Sequence, residues 1–251
     1  MSLSSLDPDE RMSGAESSET IRLLRRRASV RAFAPDPVPE DLLRSILDAA
    51  RQAPTSSNLQ AYSIVVVADA ERRHALSVIA GNQQHILDAP VLLALCADIR
   101  RLALVTEQAG AEFAAHTVEM LLVSCVDASL AGMCASIAAE SLGLGTVMIG
   151  GLRNDPEAVA AILGLPPQTF VVFGLCIGWP ERSPPPKQRL PAQLTVGREH
   201  YPETSAGEDG GFDLLQPDPV GAAWTQRVAR EMSNPRRAGL GAALKRLGFR
   251  F

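Results

Sequence analysis

The sequence predicts one α/β domain followed by a C-terminal arm, and three observations support this. The chain has 251 residues, 46% hydrophobic and 21% charged, which is enough to bury a substantial core. Apolar residues at helical spacing alternate with short β-branched runs. After Trp179 and Pro180 the chain becomes rich in proline, so neither a regular helix nor a central strand continues there.

The first part of the chain contains alternating helical and extended patterns. Apolar residues at helical spacing predict helices over residues 20–27, 40–52 and 70–79. β-branched and apolar runs predict strands over residues 62–67 and 91–97. Polar residues between these elements predict loops, which include residues 54–58 and 81–84.

The longest helical pattern covers residues 111–142 and is almost wholly apolar after Met120. The stretch 120–139 contains Asp127 and many small residues, so we interpret it as a buried helix and not as a membrane span. A helix that is apolar on all sides must be covered on all sides, either by its own chain or by a second subunit.

The same alternation continues towards the C-terminus. We predict a glycine-bracketed strand over residues 143–151, a short helix over 156–163 and a strand over 169–178. The last strand has few polar residues, which suits the middle of a sheet covered on both faces. Two amphipathic helices follow near residues 222–232 and 237–247.

These patterns set the expected domain limits. Residues 1–19 are polar and contain no apolar core of a signal peptide, so we expect a disordered tail. Residues 20–196 are expected to form the main domain. Residues 197–251 are expected to be a C-terminal extension with two helices that belongs to the same fold.

Composition excludes several classes of protein. The net charge of −4 provides no global basic field, so a dedicated nucleic-acid binder is excluded. No membrane partner is expected. The cysteines lie far apart, without metal-binding spacing, and each sits among apolar residues. We therefore expect buried, reduced thiols in a cytoplasmic protein at Cys96, Cys125, Cys134 and Cys176.

Phosphate binding is the first candidate chemistry. Lysine accounts for two of the 24 basic residues, Lys187 and Lys245, so 22 are arginine. Residues 25–31 place four arginines and a serine hydroxyl close together, and guanidinium groups match the geometry of phosphate. A solvated basic helix end explains the same cluster, and on this pattern alone it is the simpler interpretation.

Two loops are further candidates. The polar loop 54–60 would suit a heteroaromatic edge or a phosphate, or be an ordinary turn. The stretch 143–151 is not a dinucleotide-binding loop, because Met148 takes the place of the third glycine. Gly150 and Gly151 would still let the backbone approach a flat ligand closely.

Groups for protein-based catalysis are scarce. The histidines show no metal-ligand spacing, and His74 and His116 fall on predicted helix surfaces. Arg73 is likewise interpreted as a surface residue. The chain has no G-x-S-x-G motif, so an α/β-hydrolase site is disfavoured. A bound cofactor is therefore expected to perform the chemistry.

Five stretches form a more specific pattern. They are RASVR at 27–31, ARQAPTSSNLQ at 50–60, GNQQH at 81–85, SLGLGTVMIGGLRN at 141–154, and FGLCIGWP at 173–180 running on to KQRLP at 187–191. In this order and spacing they resemble the nitroreductase family of FMN-dependent oxidoreductases. Within that family they are most similar to the oxygen-insensitive NADPH nitroreductases and NADPH–flavin oxidoreductases.

The resemblance covers residues 20–251 and implies an α+β fold. That fold is a three-layer α/β/α sandwich with a central, mostly antiparallel sheet and a C-terminal arm, built as an intertwined homodimer. Two FMN sites would lie at the subunit interface. By position, the residues implied to bind FMN are Arg27, Ser29, Arg31, Ser56, Ser57, Asn58, Gln83, Met148, Ile149, Gly150, Gly151, Lys187 and Arg189. Glu119 matches a glutamate near the active site of the most similar group.

The implied activity is an NAD(P)H oxidoreductase that reduces nitroaromatics, quinones or flavins. Hydride would pass through N5 of FMN in two-electron, ping-pong turnover, from NADPH or NADH to a small aromatic acceptor. Two alternatives remain, a flavin reductase that supplies reduced FMN to a partner and a flavin-binding protein without turnover. Ala28 replaces a basic residue of the family pattern, and residues 200–220 lack the arginines expected to bind the 2′-phosphate of NADPH.

Overall fold

A computed structural model of the chain describes residues 18–202, 223–234 and 236–250. The chain divides into two compact units, one formed by Met1–Pro185 with Gly239–Phe251 and the other by Pro186–Ala238. Residues 1–19 were predicted to be a disordered tail, and residues 1–17 lie outside the described residues. Most of the segment 200–220 also lies outside them.

Four strands of the first unit form one antiparallel sheet in the order β1-β2-β4-β3. They are β1 (Tyr62–Val66), β2 (Val91–Asp98), β3 (Gly145–Ile149) and β4 (Thr169–Gly178). In the central pair, Leu93 of β2 lies opposite Leu175 of β4. The strand predicted over 169–178 matches β4 residue for residue and lies inside the sheet, as predicted.

Helices flank these strands along the chain. The α-helices are α1 (Glu19–Arg26), α2 (Glu40–Arg51), α3 (Ala70–Ile79), α4 (His85–Asp88), α5 (Arg100–Gln108), α6 (Val118–Ser141), α7 (Pro156–Leu163), α8 (Trp224–Ser233) and α9 (Leu240–Arg246). The described residues also form 3₁₀ turns at Ser56–Asn58, Gly150–Asn154 and Ala192–Leu194. The predicted strand 143–151 is therefore shorter than expected and ends in a 3₁₀ turn.

The sheet has a hydrophobic core on each face. Along β2, Leu92 and Cys96 belong to one core, whereas Leu93 and Leu95 belong to the other, because alternate strand residues point to opposite faces. Residues of α3, α4 and α7 complete the first core, and residues of α2 and α6 complete the second. The result is a three-layer α/β/α sandwich, so the predicted α+β fold class is confirmed.

Helix α5 is absent from the sequence prediction. Its buried residue is Ala103, whereas Leu104 and Val105 are 39% and 57% exposed. No apolar stripe therefore marks this segment as one that packs on a core.

The helix predicted over 111–142 is wrong at its start. Helix α6 begins at Val118 because Thr117 caps it, with the Met120 amide donating to Thr117 Oγ1 at 3.2 Å. His116 thus lies outside a helix, and its ring centre is 5.0 Å from that of Phe113. The predicted helix-surface position of His116 is wrong, whereas His74 is exposed on α3 as predicted.

The described residues cover helix α6 on one side. By length and composition it could cross a membrane, a test that core helices of soluble proteins also pass, and 39% of its most apolar stretch is buried. Four apolar residues spaced by one helical turn are 37–55% exposed: Val118, Leu122, Val126 and Leu130. The described part of the chain thus leaves one apolar face of α6 open.

The four cysteines are free. Cys96 and Cys176 are buried as predicted, and burial raises the pKa of each thiol to about 12. Cys125 and Cys134 are partly exposed, so the prediction of full burial is wrong for these two. Within the described part of the chain, no group of three or more His, Cys, Asp and Glu residues is placed to hold a metal ion.

Candidate functional site

The segment after α1 lies along the outer edge of β3. Ser29 forms a parallel bridge with Thr146, and the Val30 amide donates to the Thr146 carbonyl at 2.9 Å. This contact requires a glycine at position 145, because a Cβ there would lie 2.6 Å from Val30 Cγ2. The edge of β3 therefore fixes the backbone between the two predicted phosphate-binding arginines, Arg27 and Arg31.

Arg27 is already paired with a carboxylate that the sequence patterns did not identify. Its Nη2 donates to Glu140 Oε1 at 3.1 Å, and Thr146 Oγ1 donates to the same oxygen at 2.7 Å. The Glu140 side chain is only 9% exposed. Arg27 Nε is buried and has no hydrogen-bond partner in the described part of the chain, so one donor of this guanidinium remains unsatisfied.

Arg31 is exposed, and none of the ion pairs among the described residues includes it. Its charge acts on His85, at the end of the predicted loop 81–84. Burial lowers the pKa of His85, and the positive charge of Arg31 lowers it further, while Asp88 opposes the shift. His85 Nε2 is buried without a hydrogen-bond partner among the described residues. The structure thus brings Arg31 and the loop before α4 together.

The same loop touches the turn that follows β3. Gln83 Nε2 donates to the Ala80 carbonyl at 2.7 Å. A Cβ at Gly151 would lie 2.7 Å from Ala80 O and 2.8 Å from Gln83 Nε2, so only glycine allows this approach. Met148 is 41% exposed and Ile149 only 1%, so the Ile149 side chain belongs to the core. Ile149 can therefore offer a ligand only its backbone, whereas the side chain of Met148 is accessible.

Arg73 is not a surface residue, and that expectation is wrong. Its guanidinium reaches the carbonyls that end α4, donating from Nη2 to Ile86 O at 2.8 Å and to Ala89 O. Burial lowers the pKa of Arg73. Its long side chain lets a residue on the outer part of α3 hold the neighbouring short helix. Arg73 therefore supports the loop that contains Gln83.

The polar loop 54–60 contains several residues with positive φ. Ser57, Asn58 and Gln60 have φ of 48°, 57° and 53°, in the left-handed region. Hydrogen bonds from the loop to α6 and from α5 to the loop hold it in place, including one from Arg101 Nη1 to the Gln60 carbonyl at 3.0 Å. The contacts that hold Ser56, Ser57 and Asn58 thus differ from those that hold the Arg31 and Gln83 group.

The remaining predicted site residues are Glu119, Lys187 and Arg189. Glu119 is exposed in the first turn of α6. Lys187 and Arg189 belong to the second unit and are exposed, and Arg189 Nη1 donates to the Lys187 carbonyl at 2.9 Å.

The grouped residues form a site for a flat, anionic ligand. Arg31 supplies an exposed cation, Arg27 a donor without a partner among the described residues, and the turn at Gly150 and Gly151 packs closely on the Gln83 loop. Such a combination is typical of a nucleotide-like cofactor with a phosphate and a planar ring.

Comparisons with known proteins agree with the fold. Residues 24–179 match the Nitroreductase family. The chain is 41% identical over 184 residues to an oxygen-insensitive NADPH nitroreductase of Salmonella typhimurium, covering 73% of this chain and 75% of the relative. The structure superposes on NfrA2 of B. megaterium with a TM-score of 0.90 and 33% identity, covering 94% and 99% of the two chains.

A second solved structure is the NADPH:FMN oxidoreductase of Vibrio harveyi complexed with NAD⁺. It superposes with a TM-score of 0.83 and 34% identity, covering 92% of this chain and 98% of the other. These matches span most of the chain. The protein therefore belongs to the Nitroreductase family.

Proposed function

We propose that this protein is an FMN-dependent NAD(P)H oxidoreductase that reduces nitroaromatics, quinones or flavins. The observation that carries the proposal is the grouping of Arg31, the Gln83 loop and the Gly151 turn beside β3. Membership of the Nitroreductase family supports it, as do the activities named for the relatives, NADPH nitroreductase and NADPH:FMN oxidoreductase.

The residues present fit an FMN molecule. Arg31 is an exposed cation for the phosphate, and the buried Nε of Arg27, which has no partner among the described residues, is a donor that a ligand would satisfy. Gly151 lets the turn after β3 pack against Ala80 and Gln83, so the backbone of this turn and the Gln83 side chain lie together where the ring would bind. When bound, FMN would supply two-electron chemistry, accepting hydride from NAD(P)H and passing it to an acceptor.

The residues predicted to bind FMN can be given individual roles from the chemistry of their side chains or backbone. Ser29 and Gln83 would donate to polar groups of the cofactor, and the backbone from Met148 to Gly151 would lie along the ring. Hydrogen-bond donors near the ring would stabilise negative charge on the reduced flavin. Lys187 and Arg189 would add cations at the phosphate. Glu119 would lie near the acceptor.

We further propose that the active form is a homodimer in the cytoplasm. The open apolar face of α6 supports this, because a face of this kind is stable in water only when another surface covers it. A second subunit would also bring its own Ser56–Asn58 turn to the site, which agrees with the separate support of that turn by α6 and α5. Four free cysteines suit a reducing compartment.

The test is anaerobic reduction of the flavin in the purified protein. The protein is mixed with FMN, and NADPH or NADH is added while the visible absorption of the flavin is followed. Bleaching by either nucleotide, followed by recovery of colour with a nitroaromatic, a quinone or free flavin, is the expected result. A protein that takes up no FMN, or whose bound FMN neither nucleotide bleaches, contradicts the proposed activity.

A further inference from the structure

Asp127 is a buried acid in the middle of the apolar helix α6. It is 0% exposed, and none of the ion pairs among the described residues includes it. Burial of a carboxylate without a cation is strongly unfavourable unless hydrogen bonds replace the lost water. The groups that donate to Asp127 therefore indicate its role.

Both oxygens of Asp127 accept backbone amides from the polar loop. The Ser56 amide donates to Oδ1 at 3.1 Å, and the Ala61 amide donates to Oδ2 at 3.0 Å. These two amides mark the beginning and the end of the turn that precedes β1. One carboxylate thus joins both ends of the loop to α6, at separations of 71 and 66 residues in sequence.

The loop between these two amides has an unfavourable backbone. Ser57, Asn58 and Gln60 all lie in the left-handed region, which serine and glutamine avoid and asparagine tolerates better. Such conformations persist only where surrounding contacts hold them. The carboxylate of Asp127 supplies these contacts at both ends, and Arg101 adds one at the Gln60 carbonyl.

We propose that Asp127 is a positioning residue for the cofactor. Its carboxylate holds the Ser56–Asn58 turn in the left-handed shape in which that turn contacts FMN. The inference rests on the proposed function, because it takes this turn to be part of the flavin site. Asp127 acts through the loop and touches neither the flavin nor the substrate.

Loss of this support should weaken the binding of FMN. A ligand binds more weakly when its site adopts the required shape for only part of the time, in proportion to that fraction. If the released loop keeps the bound shape about one tenth of the time, the Kd of FMN rises about tenfold.

The first variant is Asp127→Asn. The amide side chain has nearly the same shape but only one acceptor oxygen, so one of the two backbone amides loses its partner. We expect the Kd of FMN to rise about tenfold or more, and the visible spectrum of the bound flavin to shift. In the FMN-free protein, we expect faster amide hydrogen exchange confined to residues 53–61. A purely structural role would instead raise exchange throughout the sheet.

The matched control is Ser124→Ala. Ser124 is 0% exposed on the same helix, and its hydroxyl donates to the Leu121 carbonyl within that helix. The substitution removes a buried hydroxyl whose hydrogen bond lies within α6. Its Kd for FMN and its exchange over residues 53–61 should equal those of the wild type.

A second pair of variants tests the same contact from the loop. Ser56→Pro removes the amide that donates to Asp127, and Ser56→Ala keeps that amide and removes only the hydroxyl. Proline fits the 3₁₀ turn, because Thr55 before it has φ −130° and ψ 151°, as residues before proline prefer. FMN should bind more weakly to Ser56→Pro than to Ser56→Ala. This pair decides the question if Asp127→Asn does not fold.

The outcomes separate this inference from the proposed function. An unchanged Kd in Asp127→Asn, with or without faster exchange in the loop, overturns the role of Asp127 in FMN binding. Equal Kd values for Ser56→Pro and Ser56→Ala overturn it as well. A wild-type protein that takes up no FMN refutes the proposed function itself, whereas the exchange of residues 53–61 still reports whether Asp127 holds the loop.

Discussion

Replacing Arg31 by alanine should weaken FMN binding and raise the pKa of His85. Arg31 is exposed at the edge of β3, where we place the phosphate. A hydrogen bond to a charged group contributes about 1.5–3 kcal/mol. Since 1.4 kcal/mol corresponds to a factor of ten, the loss of this bond should raise the Kd of FMN by about 10- to 150-fold. Fluorescence quenching of FMN on binding measures this change.

The pKa of His85 provides a second measurement that requires no flavin. Burial lowers this pKa, and the nearby positive charge of Arg31 lowers it further. Without that charge, the protonated imidazole is less unfavourable, so the pKa of His85 should rise in Arg31→Ala. It should stay below the ordinary value, because the substitution leaves the burial of His85 intact. Titration of the imidazole signals by NMR in the FMN-free protein follows the change.

Arg44→Ala is the control for both measurements, because Arg44 is exposed on α2 and belongs to no predicted site. It should leave the Kd of FMN and the pKa of His85 unchanged. Equal Kd values for the Arg31 and Arg44 variants would refute the assignment of Arg31 to the phosphate. An unchanged His85 pKa in Arg31→Ala would refute the electrostatic contact between the two residues.

Three further predictions address packing, assembly and pH. Gly151→Ala would place a Cβ 2.7 Å from a backbone carbonyl and should lower the free energy of unfolding by about 1–3 kcal/mol, measured by denaturant titration. Gly241→Ala in α9 meets no atom within 4 Å and should not destabilise the protein. Val126→Arg on the open face of α6 should convert a dimer to monomers in sedimentation experiments, whereas Val105→Arg on α5 should not; a monomeric wild type would contradict this. The pKa of Glu157 is lowered by a hydrogen bond from an arginine on α9 and by the charge of that arginine. The ionised carboxylate therefore stabilises the fold above the unfolded pKa of about 4.5, and this stabilisation disappears as the pH falls through the lower pKa of Glu157 in the folded protein. Glu157→Gln should therefore be slightly less stable than the wild type at neutral pH and equally stable in acid, and a difference that persists in acid would contradict the ion pair.

Long, regular segments could be predicted from the sequence. Helices α3 and α7 and strand β4 have the predicted limits, because their apolar spacing or composition reflects the core they face. Helix α5 gave no such signal, since its exposed apolar residues follow no stripe. The start of α6 was also missed, because the cap at Thr117 depends on a single side-chain hydrogen bond.

The candidate site could be predicted in part, by likeness to a family. The stretches that contain Arg31, Gln83 and Gly151 are far apart in sequence, and the structure brings them together. Pattern alone did not reveal Glu140, whose partner Arg27 is 113 residues away. It also misplaced Arg73, because helical spacing locates a Cα on a surface but not the end of a long side chain.

Local chemistry was enough to predict the alternation of helices and strands, the apolar character of α6 and the cluster of cations, because each is a property of neighbouring residues. Local chemistry could not establish the pairing of charges, because that pairing depends on which distant segments the sheet and helices bring within about 3 Å of each other. Asp127 illustrates the difference. In the sequence it is one acid in an apolar helix, and only the folded chain places its two oxygens against the amides of Ser56 and Ala61.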